Sequence, residues 1–341
     1  MVSSYSRRPR ARRRLAERSL AWPSLGKWAC FALTVLSVSL APDRGHAQMV
    51  TVPTRVFLNG VPTPVSFNDG DSFRVLAGRL TGTRARLAGF NTLESYGNVH
   101  RWGNWEAKEL FHLAKLATYN ARRGVWHCES KDLKRDGYGR ILWWCKDLAV
   151  DQVRRGLAHA MTVTLEAADP DVVAAQAEAI REGKGMWAHG VPAYVLTSLH
   201  STTEAYDGRT YNRLVSSLDG HSAKWLHDDA YSECQVICSS ERTVSSSAVT
   251  AGVAALRADP QASTAAAKLS AVALANVVRD FAQLGHVAGV KDEDDAKALT
   301  EALERLEAAG AFGSEPRTEG SCVVYAEFER RYGSGRASCL D

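Results

Sequence analysis

The sequence has no long apolar run. Its most apolar stretch, Trp28 to Ala41, falls short of the roughly 20 residues a helix needs to cross a bilayer, which argues against a comfortable membrane span there. His100, His112, His127, His159 and His189 stand at no metal-ligand spacing, so a histidine-built metal centre is not expected. An excess of one charge is also missing: 42 Lys and Arg face 38 Asp and Glu, a formal net charge of +4. That small excess is unevenly spread. Residues 1–47 carry nine basic and two acidic side chains, residues 48–198 carry 19 and 15, and residues 199–341 carry 14 and 21. The middle part has the sign expected for a phosphate-backbone partner, and the tail has the opposite one.

A chain of 341 residues with 45% hydrophobic content has room for two domains and a sizeable core. Its start reads as an export signal. An Arg-rich segment with Arg7-Arg8 and Arg12-Arg13-Arg14 precedes the apolar run, and Gly45-His46-Ala47 offers small residues for a signal peptidase. The expected product, from about residue 48, is secreted or periplasmic, with no stable membrane insertion after cleavage.

From about Thr51 to Leu87 the pattern is short and β-like, with runs at residues 55–58, 73–76 and 83–87 and turns at Gly60, Asp69-Gly70 and Gly78. Residues 105–119 carry helical periodicity. A hairpin is expected over 124–129 and 140–146, and further helices over 150–158 and 170–182. Residues 190–245 look like a linker with a small irregular Cys-containing module. Residues 247–311 look like two helices forming a hairpin, an insertion between Cys238 and Cys322, with Asp292 to Asp295 at one helix start and Gly310 at its end. Residues 313–341 form a last Cys-containing segment. His221, His227, Asp228 and Asp229 can be weighed as metal ligands, but ordinary surface polarity explains them better. Trp126, Trp143 and Trp144 fit core packing better than base stacking.

The chemistry concentrates in Asn68-Asp69-Gly70-Asp71-Ser72-Phe73, in Arg84 to Glu94, and in Asp136-Gly137-Tyr138-Gly139-Arg140. Together they hold carboxylate and amide oxygens, arginines, a glutamate and a tyrosine. A phosphodiester repels its nucleophile. A divalent cation neutralises that charge, and hard oxygen ligands suit calcium. Asp71, Asn91 and Thr92 supply such oxygens. Arg86 and Arg140 can fork onto phosphate oxygens, and Glu94 is left as a base for water.

At these residues the sequence resembles the staphylococcal-type thermonuclease family, over about residues 63–189. Asp69-Gly70-Asp71-Ser72 resembles the family's Asp-Gly-Asp-Thr, and Asp136-Gly137-Tyr138-Gly139-Arg140 its Asp-Lys-Tyr-Gly-Arg. Residues 150–158 are similar to the helix segment that follows. The resemblance implies an α+β fold built on an OB-fold-type β-barrel with packed helices. It implies a calcium-dependent nuclease acting on DNA or RNA, with Arg86, Glu94 and Arg140 catalytic, Tyr138 on the nucleotide, and Asp71, Asn91 and Thr92 at the metal. One position departs: the family has Asp-Thr-Pro-Glu where this chain has Asn91-Thr92-Leu93-Glu94, so the metal site loses one negative charge and should bind more weakly. Two other classes remain open. One is a catalytically inactive nucleic-acid-binding module of the same fold, for which Asn91 argues. The other is an extracellular interaction protein acting through its C-terminal region, which carries no family signature.

Cys30 leaves with the signal, and six cysteines remain. An even count in an exported chain favours three disulfides over a zinc site in the tail. Cys128 and Cys145 are expected to pair. A two-residue turn at Asp136-Gly137 would set opposite residues at numbers summing to 273, which these two satisfy. The connectivity of Cys234, Cys238, Cys322 and Cys339 stays open.

Overall fold

The computed structural model describes residues 54–96, 99–204, 210–331 and 333–340; the expected signal segment lies outside them. Short β-prone runs give β1 (Thr54–Leu58), β2 (Val61–Phe67), β3 (Ser72–Val75), β4 (Arg84–Leu87), β5 (Gly89–Thr92) and β6 (His100–Arg101). They are followed by α1 (Ala107–Arg123), β7 (Trp126–Cys128), β8 (Ile141–Trp143), α2 (Lys146–Arg154), β9 (Ala158–Met161) and α3 (Pro170–Arg181). The rest of the chain forms β10 (Tyr194–Ser198), β11 (Tyr211–Ser216), β12 (Ser222–Leu226), β13 (Val236–Glu241), α4 (Ser246–Ala258), α5 (Ser263–Ala267), α6 (Ala271–Leu284), α7 (Glu293–Ala308) and β14 (Thr318–Val324). The fold is mixed α+β.

Six strands make one sheet in the order β7-β1-β2-β3-β4-β8. Its inner face follows the two-residue period of a strand: Val56, Leu58, Val65, Phe67, Phe73, Val75, Ala85 and Leu87 are all buried, with Trp143 among them. The two outer strands meet. Glu129 and Trp144 exchange both backbone hydrogen bonds, at 2.8 and 2.9 Å, and Cys128 is bonded to Cys145 with Cα atoms 4.1 Å apart. The sheet therefore curls into a nearly closed barrel, and the disulfide lies at its seam.

The expected disulfide is present, but the turn used to expect it is not. At the tip, Asp136 N–H donates to Arg140 O, Gly139 N–H donates to Asp136 O, and Gly139 takes φ +73°. This is a three-residue loop over 137–139, and Arg135 faces Ile141, which sets opposite numbers three higher than at the cysteines. Residues 130–134, with Leu133 at φ +52°, absorb the difference. Nor do residues 124–129 and 140–146 form a continuous hairpin. β7 runs parallel to β1 and β8 parallel to β4.

The helix expected over 150–158 ends at Arg154. Gly156, at φ +66°, turns the chain into β9, and its own oxygen accepts from Met186 N–H. A Cβ on Gly156 would stand 2.1 Å from Lys184 O, so no other residue fits this close approach.

Residues 190–245, expected to be irregular, hold four strands. β10-β11-β12 form one sheet; β13 and β14 form another with β6. The tail cysteines pair as Cys234–Cys339 and Cys238–Cys322, which leaves no thiolates for zinc. The helical insertion between β13 and β14 has four helices instead of two. Asp259, which accepts from Gln261 and Ala262 N–H, and Ser270, which caps α6, interrupt what would have been one long helix. Its last helix starts and stops as expected, with Asp292 capping Asp295 N–H and Gly310 at φ +80°. The described residues form one compact unit. The link is physical: Cys322 and Val323 of β14 pair with Arg101 and His100 of β6.

Candidate functional site

Strand alternation sends Ala85 and Leu87 into the core and leaves Arg86 on the opposite face of β4. Beside it, Asp71 enters β3, where Ser72 is in register with Arg86. Arg86 Nη1 donates to Asp71 Oδ1 and Arg86 Nη2 to Asn91 Oδ1, so one guanidinium bridges two of the expected metal ligands. The other Asp71 oxygen, Oδ2, accepts Thr92 N–H at 2.8 Å. Asp71, Asn91 and Thr92 are all buried.

Gly70 is required here by contact and not by conformation. A Cβ at this position would lie 2.5 Å from Thr92 Cγ2 and 2.9 Å from Ala117 Cβ. It lets the Asp69–Asp71 turn press against β5 and α1.

Glu94 follows β5 and lies within reach of the charges of Asp71, Arg86 and Arg140. Burial, then Asp71, pushes its carboxyl above the ordinary range, and Arg331, Arg86 and Arg140 pull the other way. Arg140 leads into β8. Its Nε donates to Asp136 Oδ2 at 2.7 Å, and its guanidinium lies 5.4 Å from the Tyr138 ring. The loop is tied to β4 by Arg84 Nη2, which donates to Tyr138 O at 2.8 Å. Tyr138 itself is exposed. The expected catalytic and metal residues thus come together from four separate segments: the turn before β3, β4, β5 with the loop after it, and the loop before β8.

No family model matches the chain, and no curated protein matches it either.

Three residues at the site were not expected from the sequence. Asp69 accepts from Ser72 Oγ at 2.7 Å, and burial with the charges of Asp71 and Glu94 pushes its pKa up to about 7. His159 sits on β9 directly across from Asn91, with Asn91 Nδ2 3.4 Å from its Nε2. Its Nδ1 lies 3.0 Å from Ala160 O, and burial lowers its pKa to about 4, so the ring is neutral and Nδ1 carries the proton. The third is Arg331, whose Nε donates to Ala326 O at 3.0 Å and whose charge reaches Glu94 from the C-terminal segment. Asp69 lies inside the quoted motif and was available to inspection. His159 and Arg331 had no local signal, because a ladder and a distant disulfide-held segment bring them in.

The oxygen donors here are hard ones, but Asp69, Asp71 and Glu94 are not drawn together into a ready-made cation cage. The charge of Asp71 lies close enough to raise the pKa of both Asp69 and Glu94, and Asn91 and Thr92 add neutral oxygens. Arg86, against the opposing pull of burial, is held the more firmly in its charged form by Asp71, Asp69 and Glu94. A cation on Asp71 Oδ1 and Asn91 Oδ1 would have to share or replace the contacts that Arg86 makes there.

The tail candidates resolve differently. His221, expected at the surface, is wholly buried between two carboxylates, with Nδ1 2.5 Å from Asp219 Oδ1 and Nε2 2.7 Å from Asp280 Oδ1. His227 stacks on Tyr231, while Asp228 and Asp229 are exposed. Among the described residues the one grouping of potential ligands is Cys238, Glu319 and Cys322, and its two cysteines are bonded to each other. Trp143 is core, and Trp144 packs over Gly89, where a Cβ would come within 2.0 Å of its ring. An open groove lined by His127, Glu129, Trp144, Asp147 and Arg154 contains none of the expected site residues.

Proposed function

We propose that this chain is an exported, calcium-dependent nuclease of thermonuclease-like type, with an OB-type barrel, hydrolysing phosphodiester bonds of DNA or RNA with little sequence preference. The observation that carries this proposal is the gathering of Arg86, Asp71, Asn91 and Glu94, with Arg140 in electrostatic reach, at one edge of the barrel. Burial and Asp71 hold Glu94 above its ordinary pKa with two arginines in reach, the setting in which a carboxylate can serve as a base. Export is supported by three disulfides.

In the reaction, Glu94 takes a proton from water as the water oxygen attacks phosphorus. Its raised pKa makes it the stronger base. Arg86 and Arg140 hold the non-bridging oxygens and meet the charge that grows on them. Asp136 orients Arg140, and Asp71 with Asn91 orients Arg86. By the family resemblance, the bond to the 5′ oxygen breaks, leaving a 3′-phosphate and a 5′-hydroxyl. When bound at Asp71, Asn91 and Thr92, calcium would supply positive charge against the phosphoryl group.

A second proposal, a nucleic-acid-binding module without catalysis, is favoured by Asn91, which gives its oxygen to Arg86 where a carboxylate would add charge. Incubation of the purified chain with plasmid, with calcium or with chelator, separates the two. Calcium-dependent degradation is expected; a gel shift without cutting would replace the nuclease by the module.

A further inference from the structure

A second concentration of positive charge lies beside the site, built jointly by α1 and the C-terminal segment. Lys115 Nζ donates to Ser95 O at 2.5 Å, next to Glu94, and lies 4.3 Å from the Tyr96 ring and 4.9 Å from the Phe111 ring. Arg336 approaches the same Phe111 ring, its guanidinium 5.8 Å from the ring centre. Neither Lys115 nor Arg336 is ion-paired to a carboxylate among the described residues. Arg336 is unusual in a further respect: Nε and Nη2 are shut off from solvent and have no hydrogen-bond partner. Those two N–H groups are closed to an outside anion, so of this guanidinium a ligand can meet only Nη1.

The segment that carries Arg336 is held in place. Cys339 is bonded to Cys234, Arg330 is ion-paired to Glu233 at 2.8 Å, and Ala337 N–H donates to Arg330 O at 2.9 Å. Val99, Ala326, Ala337 and Leu340 form a small core under it. Burial, then Arg336 and Arg122, lower the pKa of Lys115, as expected where cations crowd without an anion.

We propose that Lys115 and Arg336 together bind a backbone phosphate of a single-stranded nucleic acid, next to the phosphate held at Arg86, Glu94 and Arg140. A guanidinium N–H beside the point charge of an ammonium suits a phosphate oxygen. Exposed Tyr96, next in sequence to the Ser95 oxygen that Lys115 binds, offers a face on which the adjoining base can stack. The inference rests on the proposed action on nucleic acid, and it adds a contact that the barrel alone cannot make.

The test is fluorescence anisotropy of a labelled oligothymidylate in chelator, across a salt series, with the full chain and its Lys115→Gln, Arg336→Gln and Arg336→Lys variants, each also melted thermally. Lys115→Gln and Arg336→Gln should each weaken binding about tenfold and flatten the salt slope by about 0.7. Arg336→Gln should melt no lower than the parent, and Arg336→Lys should recover part of the affinity. Unchanged affinity and slope in a Lys115→Gln variant that melts with the parent would overturn the proposal even if Arg336→Gln folds poorly. So would a lower melting temperature in Arg336→Gln with affinity intact. A parent chain that neither binds the oligonucleotide nor cuts it with calcium would remove the nucleic-acid function and this subsite together; a parent that binds and cuts, with indifferent variants, removes the subsite alone.

Discussion

Arg86 holds Asp71 and Asn91 at once, so the charge of one side chain organises the buried half of the site. Its loss should leave two buried polar groups short of a partner as well as removing a phosphate ligand. Glu94→Gln and Arg140→Ala are cleaner tests, because neither side chain supports the core. Each should stay folded by circular dichroism and lose about 10²–10³ in nuclease rate. Full activity in either would rule out the assigned roles. Asn91→Asp restores the missing charge where Arg86 can counter it, and should shift the calcium dependence of cleavage to lower concentrations. An unmoved calcium titration would mean that Asn91 is not a ligand. Local sequence gathers the candidate residues but does not show their contacts. The family resemblance proposes Asn91 as a ligand, but nothing in the order of residues reveals that His159 faces it across the β5–β9 ladder.

At the scale of elements, the barrel's seam and the tail's buried ion cluster are the two places where one change should propagate. Cys128 and Cys145 join the outer strands, so replacing both with Ser should cost roughly 3 kcal/mol on the chain-entropy model. Because Arg140 sits on the loop that this bond closes, activity should fall at temperatures well below global unfolding. Denaturant melts of the two proteins with parallel rate measurements would check it. In the tail, His221 is flanked by Asp219 and Asp280; Tyr194 donates to Asp280 at 2.6 Å and Asn276 to Asp219 at 2.8 Å. Against the opposing pull of burial, Asp280 and Asp219 push the His221 pKa to about 9. A raised folded pKa means that the charged ring's contribution is fully present below the ordinary 6.5 and is lost as pH climbs through 9. The melting temperature should therefore fall between pH 6.5 and 9. A flat profile there would mean that the ring is neutral in the fold.

For the whole molecule, the barrel and the tail cannot be separated at a loop. β14 completes a sheet with β6, Glu241 accepts from Ala193 and Tyr194 N–H, and Ser321 bonds Leu196 N–H and Tyr194 O. A chain ended at Val195 would expose the β10 core, Val99 and the edge of β6. It should lose cooperative unfolding as well as activity. A truncated chain that melts cooperatively and still degrades plasmid would show the tail to be dispensable. The tail's acidic balance does not conflict with a nucleic-acid partner, because its net charge is not its local charge. Arg331 and Arg336 sit on the segment turned toward the site, while the acidic run at Asp292 to Asp295 caps a helix of the insertion.

By itself the sequence determined the strand alternation that puts Arg86 on one face and Leu87 on the other, the order of the motif segments, and the caps of α7. These depend on neighbours a few residues away, where pattern and capping chemistry act. It also gave the right partner for Cys128, though through a turn that the chain does not form. It could not determine that residues 190–245 are strands, that Gly156 converts a helix into β9, or that the tail cysteines join 234 to 339 and 238 to 322. Those outcomes belong to pairings between segments far apart in the chain, and their free energy is gained only when the partner surface is present. The same holds for Arg331 and Arg336: in sequence they are two basic residues in an acidic tail, and only the β14–β6 ladder and the Cys234–Cys339 bond bring them to the edge of a site whose Glu94 stands more than two hundred residues earlier.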